Sequence, residues 1–184
     1  MIEEKKILLH TCCAPCAAGS WERLREQGYV VTFLYSNSNI YPRAEYDIRL
    51  ENIRKFADAI GIELLCDTYD HDSWLKRVQG LEQEPEKGGR CTVCFEFNLE
   101  RAAFFAEKEK IGSFTTTLTV SPHKESRMIF DAGERFSRYL AVDFKEKGGH
   151  KRSSVLCREY GLYRQSYCGC EFSLRDRERG ETGG

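Results

Sequence analysis

The chain lacks an excess of charge of either sign: 28 Lys and Arg stand against 29 Asp and Glu, a formal net charge of -1. That excludes a uniformly basic nucleic-acid binder but leaves room for a local basic patch. It lacks any apolar run near the roughly 18 residues that a membrane helix needs, so no membrane span is expected. Residues Met1–His10 place acids before a short apolar run and match neither a secretory signal nor a transit peptide, so the expected setting is cytoplasmic. The chain has no internal repeat and no linker long enough to divide it. The expectation is a single α/β domain over residues 1–184, with a flexible, charged, glycine-ended tail over 174–184. Hydrophobic residues make up 41%, with 11 Phe and 9 Tyr, enough for a sizeable core.

Cysteine is what the chain has in unusual number. There are nine: Cys12, Cys13, Cys16, Cys66, Cys91, Cys94, Cys157, Cys168 and Cys170. An odd count without a signal peptide argues against a disulfide scaffold, and a reducing compartment leaves metal binding or redox chemistry as the reasons to cluster thiols. Seven of the nine fall in three tight groups, TCCAPC, RCTVC and YCGC, which chance placement in a core would not produce.

Residues 6–10 (KILLH) read as a buried strand that ends at the first cysteine loop. A helix follows over 15–27, with Pro15 suited to a first helical position and Gly28 to a stop. Residues 29–35 (YVVTFLY) read as a second strand, 44–60 as a helix ended by Gly61, and 62–66 as a third strand. A short helix is expected over 72–78, an exposed loop over 79–89 and a long helix over 91–109. Further expectations are a strand over 113–120, a helix over 125–140, a short fifth strand over 141–144 and a helix over 153–163. Strand alternating with helix favours a three-layer, Rossmann-like parallel sheet with helices on both faces. Such sheets bind ligands at the carboxyl ends of their strands, where TCCAPC, SNSN and SPHK would converge.

Cys91-x-x-Cys94 fits zinc, iron–sulfur or thioredoxin-like chemistry, at a helix start that favours thiolates. Adjacent Cys12 and Cys13 do not easily chelate one small tetrahedral ion but can reach a larger iron–sulfur cubane, and a zinc site made of two CxxC pairs stays open. Cys16 either ligates or packs in the first helical turn. Cys168 and Cys170, one residue apart, can close a strained, easily reduced disulfide or bind metal. Cys66 and Cys157 read as core. Asp70, Asp72 and His123 are candidate proton donors, the two acids also reading as a solvated helix cap. Asn37, Asn39 and Tyr41 after the second strand, and Ser121 and Lys124 after the fourth, are candidate substrate contacts. The stretch 145–164 sets Lys145, Lys147, Lys151, Arg152, Arg158 and Arg164 against Glu146 and Glu159, with Tyr160 and Tyr163 between. Lys151 and Arg152 are the candidate RNA phosphate contacts there.

Taken together, LLHTCCAPC, YSNSNIYPRAEYDIR, RCTVCFEFNLERAA, TTLTVSPHK and YCGCEFS resemble the QueH family of cobalamin-independent epoxyqueuosine reductases, in the family's order over 6–173. The resemblance implies a nucleotide alpha-hydrolase-like fold and the last step of queuosine synthesis, reductive removal of the epoxide oxygen at the tRNA wobble base. It implies a four-iron, four-sulfur (4Fe-4S) cluster at Cys12, Cys13, Cys91 and Cys94, and a redox-active pair at Cys168 and Cys170. It also implies room for one additional iron beside the cluster, with Cys168 or Cys170 and an Asp as ligands. An external electron donor is implied as well. The alternative is an iron–sulfur or zinc tRNA-modifying protein of ATP-pyrophosphatase-like fold, such as a thiolase. ATP use is disfavoured because the loop after the first strand is cysteine-rich and has no SGGxDS-like phosphate run.

Overall fold

The computed structural model describes residues 5–180. Four parallel strands form its sheet, β1 (Lys5–His10), β2 (Tyr29–Tyr35), β3 (Leu64–Cys66) and β4 (Ser113–Thr116), in the order β3-β2-β1-β4. β1 is central, with Ile7–His10 paired to β4 and Lys5–His10 to β2. Parallel strands need crossovers, and helices supply them: α1 (Ala14–Glu26), α2 (Arg43–Ile60), α3 (His71–Arg77) and α4 (Gly89–Lys108). Three more helices follow β4: α5 (Ser126–Gly133), α6 (Gly149–Glu159) and α7 (Glu171–Glu178).

Side chains alternate across the sheet, so each strand feeds two cores. Ile7, Leu9, Val31, Phe33 and Tyr35 pack with Ala17, Trp21 and Leu24 of α1, Ile53 and Phe56 of α2 and Leu156 of α6. On the opposite face Leu8 and Leu34 pack with Leu99, Ala102 and Phe105 of α4 and Ile129 of α5. This is a three-layer α/β fold, as expected. A third cluster of Trp74, Val78 and Phe172, edged by Cys94, Phe97 and Cys170, joins α3, α4 and α7. At the helix ends, Pro15 sits in the first turn of α1, and Gly61 closes α2 in the left-handed region at φ 67°.

The second half departs from expectation in five places. β4 ends at Thr116, and 117–120 form a 3-10 turn. β1, its ladder partner among the described residues, ends at His10, and Thr116 Oγ1 accepts from Leu118 N instead. α5 stops at Gly133, on which the Tyr139 ring lies so closely that a Cβ would come within 2.2 Å of it. The expected strand over 141–144 does not form. A single parallel bridge, Phe114 to Tyr139, stands near its place, and Thr119 Oγ1 donates to Val142 O and accepts from Phe144 N. A side chain thus takes the bonds a ladder would have made. Finally, α6 begins at Gly149, and residues 174–178 of the expected tail belong to α7 (171–178); 181–184 lie outside the described residues. Cys66, expected in the core, ends edge strand β3 and is exposed.

Candidate active site

β1 delivers the first thiols. Thr11 N still pairs with Leu34 O, and then the chain turns into α1 with Cys13 at the N-cap. His10, fully buried, ties three strand ends together: its Nδ1 lies 2.9 Å from Thr116 Oγ1 and its Nε2 3.0 Å from Ser36 O. Burial lowers its pKa, so it is a neutral brace. The sulfurs of Cys12, Cys13 and Cys16 all lie within 4.8 Å of one another. Cys12 N donates to Thr117 Oγ1 at 3.2 Å, and Gln165 Nε2 donates to Cys13 Sγ at 3.2 Å. Hydrogen bonds from Cys13 and then Cys16 hold the Cys12 pKa well below its ordinary value. The same bond pushes Cys13 up to about 12, and Cys16 rises with it. Ionisation within the triad is thus favoured at Cys12 over Cys13 and Cys16.

The other wall is assembled from two segments. Cys91 and Cys94 occupy the start of α4, where Lys87 N donates to Cys91 Sγ at 3.3 Å and Asn98 Nδ2 to Cys94 O at 2.8 Å. Cys170 is the N-cap of α7 and accepts from Ser173 N at 3.4 Å. Cys168 is exposed; its N donates to Ser173 Oγ, which donates to Glu86 Oε1 at 2.7 Å. Burial raises the pKa of Cys91 and Cys94 and pushes Cys170 up to about 12, with Cys168 adding to each rise. A nearby cation favours ionisation of such buried thiols. Lys124 is such a cation. Burial works against its charge, but Cys168, Cys12 and Cys16 outweigh burial and hold its ammonium above the ordinary lysine range.

Both walls line one cavity of about 620 Å³ at the carboxyl ends of the strands. Its lining includes Cys12, Cys16, Cys91, Cys94, Cys168 and Cys170, with Asn37, Asn39, Ser121, His123 and Lys124. Asn37 Nδ2 donates to Thr11 O at 2.8 Å and so shapes the cysteine loop, while Asn39 Oδ1 is buried without a partner among the described residues. Cys13 lies behind Cys12, buried. Six sulfurs facing a common space, with a lysine and helix starts among them, form a donor set suited to a thiolate-bound iron–sulfur group.

Other expected site residues lie outside the lining. Asp70 caps α3, accepting from Ser73 N at 3.0 Å and from Ser73 Oγ at 2.6 Å, and Asp72 sits in the exposed first turn of that helix. Tyr41, half exposed, stacks on His71 at 5.4 Å; its N donates to Gly169 O, and its O accepts from the Tyr167 hydroxyl. Lys151 is exposed on α6, and Arg152 is held by Glu22 at 2.6 Å and 2.7 Å. Lys145 of the same basic stretch is turned inward, with Nζ 2.8 Å from Lys124 O. The sequence reading missed Thr117, Gln165 and the buried, cavity-lining Arg90, whose guanidinium stands 4.6 Å from the Phe172 ring. Thr117 and Gln165 meet Cys12 and Cys13 only across the fold, and Arg90, though next to Cys91 in the RCTVC group, has no spacing signal of its own.

The family profile described as epoxyqueuosine reductase QueH matches residues 7–176. An epoxyqueuosine reductase QueH of Haemophilus influenzae is 38% identical over 97% of this chain and 76% of its own. One from Acinetobacter baylyi is 38% identical over 95% and 83%, and one from Dehalococcoides mccartyi is 34% identical over 94% of both chains. A solved structure described as a predicted subunit of a tRNA methyltransferase from Methanocaldococcus jannaschii has a TM-score of 0.57 over 96% of this chain and 89% of its own. At 16% identity, it shows likeness of fold. With three cysteine groups on one sheet edge and a family profile spanning nearly every described residue, the chain belongs to the epoxyqueuosine reductase QueH family.

Proposed function

We propose that the chain carries out the reaction for which its family is named, on tRNA in the cytoplasm: reduction of the epoxide of epoxyqueuosine at the wobble base to the cyclopentene of queuosine. The observation that carries this reading is the meeting of all three cysteine groups in one cavity. The reaction consumes two electrons and two protons; both carbon–oxygen bonds of the epoxide break, a carbon–carbon double bond forms, and the oxygen leaves as water. The electrons come from an external reductant. A 4Fe-4S cluster held by Cys12, Cys13, Cys91 and Cys94, with Cys16 near enough to replace one of them, supplies one-electron transfer when bound. An additional iron would take ligands from the second wall, beside Cys168 or Cys170.

The chain's own groups do the rest. The Lys124 ammonium stabilises negative charge that develops on the departing oxygen. His123, in the same loop and on the cavity lining, is the proton donor favoured by position; Asp70 and Asp72 serve as donors only if α3 uncaps. Asn39 offers an unpaired amide oxygen to the substrate, and Asn37 and Ser121 shape the wall around it. Tyr41 offers an exposed ring beside the site for base stacking. Lys151 faces solvent and is free to meet phosphate, whereas Arg152 must first leave Glu22. Cys168, the exposed sulfur of its pair, is the thiol best placed to exchange electrons with a donor.

The test is anaerobic reconstitution with iron and sulfide, followed by reaction with epoxyqueuosine-containing tRNA and a chemical reductant. Nucleoside mass spectrometry should find the product lighter by one oxygen. A colourless, zinc-loaded protein with no conversion would overturn the reading.

A further inference from the structure

The turn that carries Cys168 and Cys170 has no regular structure, and one buried cation holds it. Arg49, in the middle of α2, is 1% exposed. Its Nε donates to Glu45 Oε1 at 2.7 Å, which leaves the two ends of the guanidinium fork for other partners. Nη1 donates to Cys168 O at 3.1 Å and Nη2 to Tyr167 O at 3.3 Å. The Tyr167 ring lies over the same guanidinium at 5.5 Å. Tyr163 Oη donates to Glu45 Oε2 at 2.9 Å, so the chain just before the turn is fastened to the same ion pair. Gly169, between the cysteines, has φ +136°, and a Cβ there would meet Arg49 Nη1 and Ile40 Cγ1, each at 3.2 Å. Gly169 O in turn accepts from Tyr41 N at 2.8 Å.

Burying a guanidinium and a carboxylate together is costly, and an apolar pair of similar volume often serves stability as well. The charge in α2 therefore calls for a use that apolar packing cannot fill, and most of its hydrogen bonds go to the cysteine turn. We propose that Arg49 is a positioning residue: its fork fixes the carbonyls of Tyr167 and Cys168, and with them the direction in which Cys168 and Cys170 present their sulfurs to the cavity. This rests on the reading of that pair as turnover thiols. Lysine would keep the charge and the pairing with Glu45 but not the planar fork, so Arg49→Lys separates fork from charge. Gly169→Ala keeps both charged side chains but sets a Cβ against Arg49 Nη1 and Ile40, and so displaces the turn from the fork.

The experiment uses the reconstituted holoenzyme. It measures kcat and KM for tRNA, and the ratio of iodoacetamide labelling at Cys168 to that at Cys170 by peptide mass spectrometry. Arg49→Lys and Gly169→Ala should each lower kcat by about tenfold or more, with KM changed by less than about twofold, and shift the labelling ratio several-fold. If the ratio and kcat stay unchanged while only the unfolding temperature falls, Arg49 is structural and the proposal is overturned. If Arg49→Lys does not fold, Gly169→Ala decides alone by the same readings. If the ratio shifts but kcat does not, while Cys168→Ser is inactive, the positioning claim fails by itself. If Cys168→Ser and Cys170→Ser both keep full turnover, the premise has failed and the proposal falls with it, whatever the labelling ratio reads.

Discussion

The two walls of the cavity are built differently. Cys12, Cys13 and Cys16 come from one loop and the first turn of one helix, and local geometry brings their sulfurs within 4.8 Å. Cys91, Cys94, Cys168 and Cys170 come from segments far apart in the chain. They meet only because Phe172 packs with Trp74 and Val78, and because Arg49 and Ser173 hold the intervening turn. A wall made by local backbone should survive damage elsewhere in the fold. A wall made by packing should fail when its packing fails.

The largest expected effect breaks the first wall directly. Cys12→Ser and Cys13→Ser should each remove bound iron and abolish turnover, as iron and sulfide analysis with visible absorption will show. Full iron retention in both would transfer the ligand role to the second wall. Next comes Phe172→Ala. Loss of its buried ring should cost about 3–5 kcal/mol in denaturant unfolding and uncouple Cys170 from Cys94, while the thiol triad keeps its reactivity. Equal damage to both walls would refute their independence. Lys124→Met removes the cation common to both walls and should lower kcat by about a hundredfold with little change in fold, measured by single-turnover kinetics.

A smaller effect concerns how α4 is held against the sheet. Asp67, at the end of β3, accepts from Arg101 of α4 at 2.7 Å and 2.8 Å and from Ser36 Oγ at 2.7 Å. Burial opposes its ionisation, but Arg101 and Ser36 together hold its carboxyl below the ordinary carboxylate value. The folded pKa is depressed, so this contribution is complete above the unfolded value near ~3.9 and is lost as pH falls through the folded one. Asp67→Asn should therefore cost about 1–2 kcal/mol at neutral pH, discounted because Arg101 is partly exposed, and flatten the acid limb of the stability curve. The smallest effect lies outside both walls. Lys151→Ala should reduce the log–log salt slope of tRNA binding by about one, and Arg152→Ala by less, because Glu22 already holds Arg152.

The sheet was legible wherever periodicity and stop residues agreed. β1, β2, α2 and α4 stand within a few residues of expectation because each strand or helix signals itself through local side chains. The expected strand over 141–144 failed for a reason no local pattern carries: Thr119, from another segment, takes its backbone partners. Asp70 and Asp72 read as both cap and acid, and Asp70 caps α3 because Ser73 is three residues away. The basic stretch over 145–164 read as an RNA face; Lys145 is turned toward Lys124 O, and Arg152, though exposed, is paired with Glu22.

The sequence by itself determined the family, because its thiol groups stand at fixed short spacings within the family's motifs. It also determined the edge of the sheet where those thiols belong, because loops after parallel strands all emerge on one side. Only the tertiary structure decided that Lys124 lines the cavity with both sets of sulfurs, and that a buried arginine in α2 holds the last cysteine turn. Those are distances between residues remote in the chain. They are set by which faces pack and which buried charges find partners, and both are properties of the folded whole.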